Sequence, residues 1–201
     1  MNKTVETLPS LGFPLFELSL VTSRQVDDLK RGIGTPEVDC DPLAWIDNAV
    51  ACNQMLVSVK SRWGNLPTGF AAFDTMSRRE TQGEEWVAEC SYNLHAVFVN
   101  PTFRGKGHGR ALRRAISDII ETNVQTIQAR GFANKVEIYL EAECTTTDGA
   151  TFVRALVADC ESTINKMSER RSADDTFGIV FVNCIDYGDY ENEAGFSAPS
   201  P

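Results

Sequence analysis

The sequence has few histidines, no close cysteine pair and no long apolar run, and each absence excludes a class of protein. Only two of the 201 residues are histidine, and the six cysteines form no CxxC pair, so the sequence lacks a common zinc pattern. We expect reduced thiols and no metal. No apolar run approaches the length that crosses a bilayer, and residues 1–16 lack the uninterrupted apolar core of a signal peptide. We therefore expect a cytoplasmic protein without membrane partners.

Positive charge is also scarce: the chain has 19 Lys and Arg residues and 28 Asp and Glu residues, so its formal net charge is −9. Nucleic-acid binding requires a basic surface that neutralises phosphates, so general nucleic-acid binding is not expected. An acidic surface would instead favour a cationic acceptor such as an amine. Some basic residues nevertheless cluster in one short segment and predict a local anion site: Arg104, Lys106, Arg110, Arg113 and Arg114.

The composition, with 42% hydrophobic and 23% charged residues, is typical of a globular protein, and this length predicts one domain. Periodicity and turn residues predict strands over 15–21, 54–60, 69–76, 86–99, 135–144 and 177–185. They predict helices over 23–30, 42–52 and 109–130, a further helix from Thr147 or Asp148, and a polar loop over 77–85. We predict one α/β domain over residues 1–185, with a mixed, mostly antiparallel sheet flanked by helices, and an acidic tail over 186–201.

The segment between the strand that ends at Val99 and the helix over 109–130 combines glycines with basic residues. A helix start leaves backbone N–H groups unpaired and carries a partial positive charge. Gly105, Gly107 and Gly109 would let that backbone approach a bulky anion, which predicts a cradle for a diphosphate. The spacing matches neither a P-loop nor a GxGxxG dinucleotide motif. An RNA site would need exposed aromatic side chains, and Phe103 alone is a poor platform.

The same segment resembles the acetyl-CoA motif of the GNAT superfamily of N-acetyltransferases. In that motif Arg or Gln is followed after two residues by Gly, and after one more by Gly or Ala; Arg104, Gly107 and Gly109 match it. The resemblance implies a GNAT-like domain that transfers acetyl from acetyl-CoA, a co-substrate, to an amine by direct attack. It implies that strand backbone and loop together bind the coenzyme, through Val97, Phe98, Val99, Arg104, Gly105, Lys106, Gly107, His108, Gly109 and Arg110.

Acyl transfer to an amine also needs a base. Period-two alternation places Glu89, Ser91, Asn93 and His95 on one face of the strand before the loop. His95 is the preferred base because imidazole titrates near pH 6.5, and because Leu94-His95-Ala96 resembles the strand of arylalkylamine N-acetyltransferases whose histidines assist deprotonation. That family has a second histidine where this sequence has Asn93. Glu89 acting through water is the reserve, and a His95 that is only packed in the sheet is the structural alternative.

The usual leaving-group acid of the superfamily is a tyrosine on the helix after the next strand, and residues 147–171 contain none. Tyr139 and Tyr187 are candidate substitutes, or solvent could protonate the thiolate. An acyl intermediate on Cys144 is less favoured than a buried thiol, and His108 is expected to be exposed or near the phosphates. The missing tyrosine keeps an alternative function open, namely a degenerate GNAT domain that binds acyl-CoA as a sensor or interaction module. The acceptor could be a small molecule or a protein, and a homodimer is also open.

Overall fold

The computed structural model describes residues 16–34, 40–170 and 176–188. Six strands and four α-helices make up the described part. The strands are β1 Phe16–Leu20, β2 Met55–Ser61, β3 Gly69–Gln82, β4 Glu85–Val99, β5 Lys135–Glu143 and β6 Gly178–Asp186. The helices are α1 Val26–Ile33, α2 Pro42–Ala51, α3 His108–Ala129 and α4 Thr147–Glu169. The tail predicted from residue 186 lies, beyond Gly188, outside the described residues.

The six strands form one mixed sheet in the order β1-β2-β3-β4-β5-β6. Neighbours from β1 to β4 are antiparallel, whereas β4, β5 and β6 run parallel to one another. The parallel pairs require crossover connections, and α3 and α4 supply them. The α/β class and the mixed, mostly antiparallel sheet with flanking helices, which the sequence predicts, are confirmed.

Two apolar cores lie on opposite faces of the sheet. The larger core packs α3 and α4 against all of the strands, and the buried face of α3 includes Leu112, Ile116, Ile120 and Val124. The smaller core packs Leu29 and Ile33 of α1 and Ile46 of α2 against β2, β3 and the end of β4. No helix in the described part of the chain has the length and apolar character to cross a membrane.

The predicted loop over 77–85 is wrong, because β3 continues to Gln82 and only Gly83 and Glu84 form the turn to β4. Both faces of β3 are exposed from Asp74 to Gln82. This stretch therefore lacks the alternation of apolar and polar residues by which a strand is predicted from sequence. Cross-strand contacts hold it instead. The Arg78 side chain bonds to Glu89, and the Arg79 guanidinium lies 3.9 Å from the centre of the Trp86 ring.

Both ends of α3 lie within two residues of the helix predicted over 109–130. Gly131 follows it with φ of 59°, which suits a glycine that ends a helix. The cap of α4 differs from the predicted Thr147 or Asp148. The Thr146 hydroxyl, one residue earlier, accepts a hydrogen bond from the Gly149 N–H at 3.0 Å.

A β-bulge in β4 changes which residues face each core. Phe73 pairs with Leu94, but Ala72 pairs with Ala96, so His95 is the extra residue. Before the bulge, Tyr92 and Leu94 face the larger core. After it, Ala96 and Phe98 face the smaller core. The bulge therefore reverses the alternation over the last residues of β4, next to the glycine-containing loop.

Candidate functional site

The loop after β4 is a series of tight turns that ends at the first residue of α3. The Asn100 side chain accepts a hydrogen bond from the Thr102 N–H at 3.1 Å and begins a short 3₁₀ turn, Pro101–Phe103. Gly105 then has φ of 70°, and Gly107, the N-cap of α3, has φ of 91°. These left-handed values explain why glycine occupies both positions, since an L side chain would be strained there.

Backbone N–H groups of the turn and of the first helical residues lie together at the start of α3. The Arg104 N–H is used, because it donates to the Pro101 carbonyl at 3.1 Å, and the Ala111 N–H donates to the Gly107 carbonyl at 3.0 Å. No side chain caps the helix at Gly107. The first N–H groups of a helix have no partner within the helix itself. The amides of His108, Gly109 and the residues beside them are therefore suited to an anion.

The predicted basic cluster divides into two parts. Arg104, Lys106 and Arg110 are exposed around the turn. Arg104 braces the turn, since its Nε donates to the Val99 carbonyl at 3.0 Å, and the Lys106 Nζ donates to the Thr102 carbonyl at 2.8 Å. The other two arginines, Arg113 and Arg114, belong to helix surfaces, where they pair with Asp159 and Asp118, each at 2.9 Å. The local positive charge at the turn therefore comes mainly from the first three residues.

The end of β4 has a strand partner on one side only. The ladder between β4 and β5 stops at Leu94 and Ala142, whereas β4 continues beside β3 to Val99. The Asn100 N–H bonds to the Thr68 carbonyl at 2.9 Å, so by alternation the backbone of Phe98 points to β3 and that of Val97 points away. Among the described strands none pairs with that edge. The peptide groups of Val97 and the Val99 N–H therefore line a gap between β4 and β5.

His95 lies where β4 and β5 separate. The bulge places it on the sheet face that α1 and α2 cover further along, together with Asp74 of β3. The His95 Nε2 and the Asp74 Oδ2 are 2.7 Å apart, and the His95 side chain is 33% exposed. A carboxylate at Nε2 favours the tautomer with the proton on that atom, which leaves Nδ1 as a proton acceptor. This pair has the geometry of an oriented general base.

Glu89 and Tyr139 belong to a different part of the same face. Glu89 lies six residues before His95, about 20 Å along an extended strand, and it pairs with Arg78. Tyr139, opposite Ser91, donates a hydrogen bond to Glu137 at 2.8 Å, and this bond is the main cause that raises the tyrosine pKa. The structure therefore does not bring the three catalytic candidates of the sequence together.

His108 is buried, although the sequence suggested an exposed position or one near the phosphates. Its side chain is only 2% exposed and lies beneath the turn. The ring packs edge-on against Phe16 and Phe103, with centroid distances of 4.7 and 5.3 Å, and its Nε2 lies 3.3 Å from the Ser61 hydroxyl. Only the backbone of His108 can face an anion at the helix start.

The remaining candidates lie at the ends of β5 and β6. Cys144 is buried, and burial raises the pKa of its thiol, so the thiolate that an acyl intermediate would require is disfavoured. Burial also raises the pKa of Tyr187, whose ring centre lies 4.9 Å from the Arg154 guanidinium. Asp74 is the residue that the sequence reasoning missed. Its partnership with His95 spans 21 positions and depends on the strand register, which no local pattern signals.

No family model matches the sequence, and no curated protein matches it. Similar solved structures include a ribosomal-protein-alanine N-acetyltransferase from Brucella melitensis biovar Abortus 2308, with 13% identity over 70% of this chain and 90% of that chain and a TM-score of 0.45. An acetyltransferase of the GNAT family from Desulfovibrio desulfuricans is 20% identical over 54% and 67%, with a TM-score of 0.36. A mutant AtaT toxin, bound to the C-terminus of the antitoxin AtaR and acetyl-CoA, is 14% identical over 70% and 82%, with a TM-score of 0.42.

Proposed function

We propose that this chain is an acyl-CoA-dependent N-acyltransferase that transfers acetyl from acetyl-CoA to an amine. One observation carries the proposal: a glycine turn at a helix start that no described side chain caps follows directly on a strand whose last residues have a partner among the described strands on one side only. The turn suits the diphosphate of the coenzyme, and the free strand edge suits an extended pantetheine arm, which could pair with it as an added strand would.

The residues of the turn fit such a ligand. A Cβ on Gly105 would point into open space, so the backbone there is accessible. Arg104, Lys106 and Arg110 would balance phosphate charge around the amides. Val97 and Val99 would offer backbone groups to the pantetheine arm, whereas Phe98 contributes a buried ring to the smaller core. Acetyl-CoA itself supplies an activated thioester, and the protein supplies position and proton transfer.

His95 would act as the general base. Its Nδ1 would take the proton from the attacking amine, and Asp74 would hold the ring and stabilise the imidazolium that forms. The pair lies on the sheet face opposite α3, beside the gap between β4 and β5. Coenzyme that enters from the α3 side and an amine that approaches from the other side could therefore meet at the gap. Solvent can protonate the leaving thiolate, so no tyrosine on α4 is required.

Steady-state kinetics test this role of the pair. His95→Gln should lower kcat by about 100-fold or more with little change in KM for acetyl-CoA, and Asp74→Asn should have a smaller effect of the same kind. The deficit should shrink as pH rises, because more of the acceptor amine is already neutral. Glu80→Gln on β3 is a matched control for Asp74→Asn. A full-speed His95→Gln enzyme at every pH would exclude His95, and an equal loss in Glu89→Gln would favour the reserve base.

The acceptor can be found without a prior guess. Isotope-labelled acetyl-CoA and the protein are incubated with a cell extract, and mass spectrometry identifies the labelled products. Labelled small amines or labelled protein N-termini would each identify an acceptor class.

The alternative function, a sensor or interaction module, is favoured by one observation: α4 carries no tyrosine. This alternative function predicts that calorimetry detects acetyl-CoA binding and that mass spectrometry finds no labelled product.

A further inference from the structure

The buried imidazole of His108 packs between the turn over 104–109 and the strands β1 and β2 at one edge of the sheet. Phe16 and Ser61 form one rung of the β1–β2 ladder, and both contact the ring. Phe103, from the turn, packs against the ring from another side. A Cβ on Gly107 would lie 3.3 Å from the Phe16 ring, so the turn and this rung are closely packed. The His108 ring therefore lies between the turn and strands β1 and β2.

The surroundings of His108 favour its neutral form. Phe16, Ser61 and Phe103, which contact the ring, are uncharged, and the His108 Nδ1 is buried without a hydrogen bond of good geometry in the described chain. Burial is the main cause that lowers its pKa; Lys106, the charged side chain that acts on it, also lowers the pKa, and the Phe103 backbone opposes both. Glu17 and Lys60, on the next rung, pair with each other at 2.8 Å.

We propose that His108 is a positioning residue: as a docked neutral imidazole it fixes the amide-bearing turn over 104–109, and it releases the turn when it takes up a proton. A folded-state pKa below the unfolded value means that the docked form contributes stability above pH 6.5. That stability is lost as pH falls from 6.5 through the lower folded pKa. The turn should therefore loosen in mild acid while the rest of the fold persists.

The consequence for ligand binding rests on the proposed function, but the docking itself does not. If the turn must be docked to bind a diphosphate, binding is linked to release of one proton from His108. Below the pKa of the free protein, the Kd for coenzyme A should then rise by up to about tenfold per pH unit. A direct contact between a protonated His108 and phosphate would have the opposite sign, since binding would tighten in acid.

Hydrogen–deuterium exchange of the ligand-free protein tests the docking. Wild type, His108→Gln and His95→Gln are compared at pH 7.5 and 5.5, after correction for intrinsic exchange. We expect protection of the peptide over 103–116 to fall severalfold, up to about tenfold, in acid in wild type and in His95→Gln, which removes the other histidine. The same peptide in His108→Gln should lose no protection, and a peptide over 135–143 should change in none. Equal pH dependence in His108→Gln and wild type would overturn the proposal.

Two further measurements separate the possible failures. If His108→Gln does not fold, an NMR titration of wild type replaces it. The resonances of the His108 ring and of the Gly105 and Gly107 amides must then shift with one common pKa. Separate titrations would refute the docking.

Calorimetry with coenzyme A then covers the same pH range. Release of the turn in acid without coenzyme A binding at any pH would retain the docking and reject the proposed function. Tighter binding in acid that His108→Gln abolishes would overturn the proposal in favour of direct phosphate contact.

Discussion

At the residue scale, the two glycines at the start of α3 do different work although they are two positions apart. Gly107 adopts φ of 91°, and Phe16 lies 3.3 Å from where its Cβ would be. Gly109 is an ordinary helical residue, and a Cβ there would meet only the Phe152 ring at 3.8 Å, a normal contact. The GNAT motif that the segment resembles also allows Ala at the position of Gly109 but not at that of Gly107.

Alanine substitutions should separate these two roles. Gly107→Ala should destabilise the fold by about 1–2 kcal/mol from left-handed strain and weaken coenzyme A binding by about tenfold or more, because the amides shift. Gly109→Ala should stabilise by a few tenths to about 1 kcal/mol, since alanine is the better helix former, and leave binding intact. Denaturant unfolding and calorimetry measure both effects. Equal behaviour of the two variants would contradict the geometry of the turn.

At the element scale, the bulge in β4 determines the geometry around the site. If His95 were an ordinary paired residue, the alternation before Leu94 would continue, and Ala96 and Phe98 would face the larger core instead of the smaller one. A one-residue slip moves every later side chain to the opposite face. The bulge therefore allows one strand to serve two cores, and it places His95 beside Asp74 at the point where the ladder to β5 ends.

Inserting a residue into the end of β4 should therefore be far more harmful than deleting His95. The deletion places Ala96 directly after Leu94, opposite Ala72, so Phe98 keeps its place in the smaller core and the loss of unfolding free energy should be about 1 kcal/mol or less. An alanine inserted between Ala96 and Val97 would turn Phe98 to the opposite face and should destabilise the protein by at least about 3 kcal/mol. Thermal and denaturant unfolding of the two proteins provide the comparison. Similar stabilities would mean that the bulge does not set which core Phe98 enters.

At the scale of the whole molecule, all six cysteines lie in the described residues and all are free thiols. Cys52 and Cys184 are exposed, whereas Cys90, Cys144 and Cys160 are buried. Burial raises the pKa of Cys160 to about 12, so its thiolate is scarce at neutral pH. The three buried cysteines thus contribute to packing, and none of the six forms a disulfide within the described chain.

Thiol reactivity should follow this division. In the native protein a disulfide reagent should modify Cys52 and Cys184 rapidly and the three buried thiols very slowly, and all six should react in guanidinium. The melting temperature should be the same with and without reductant. Peptide mapping identifies the modified positions. Rapid native labelling of Cys144, or loss of turnover in Cys144→Ala, would revive the acyl-cysteine hypothesis.

Local patterns in the sequence determined much of this protein. Helical periodicity predicted α3, strict alternation predicted β5, and the glycine and basic residues between β4 and α3 predicted the turn, because each of these signals is local in the chain. They also predicted which backbone segment would suit a diphosphate. The exposed hairpin of β3 and β4 escaped prediction because neither face of its first strand is apolar.

Only the tertiary structure decided the remainder, since it depends on contacts between residues far apart in the chain. Strand register brought Asp74 to His95, the end of the β4–β5 ladder exposed the edge at Val97, and packing against Phe16 and Ser61 buried His108. The same register separated Glu89 and Tyr139 from His95, although alternation alone put Glu89 and His95 on one face. A period of two specifies the face of a strand; it does not specify the bulge, the partner strand or the place where pairing stops.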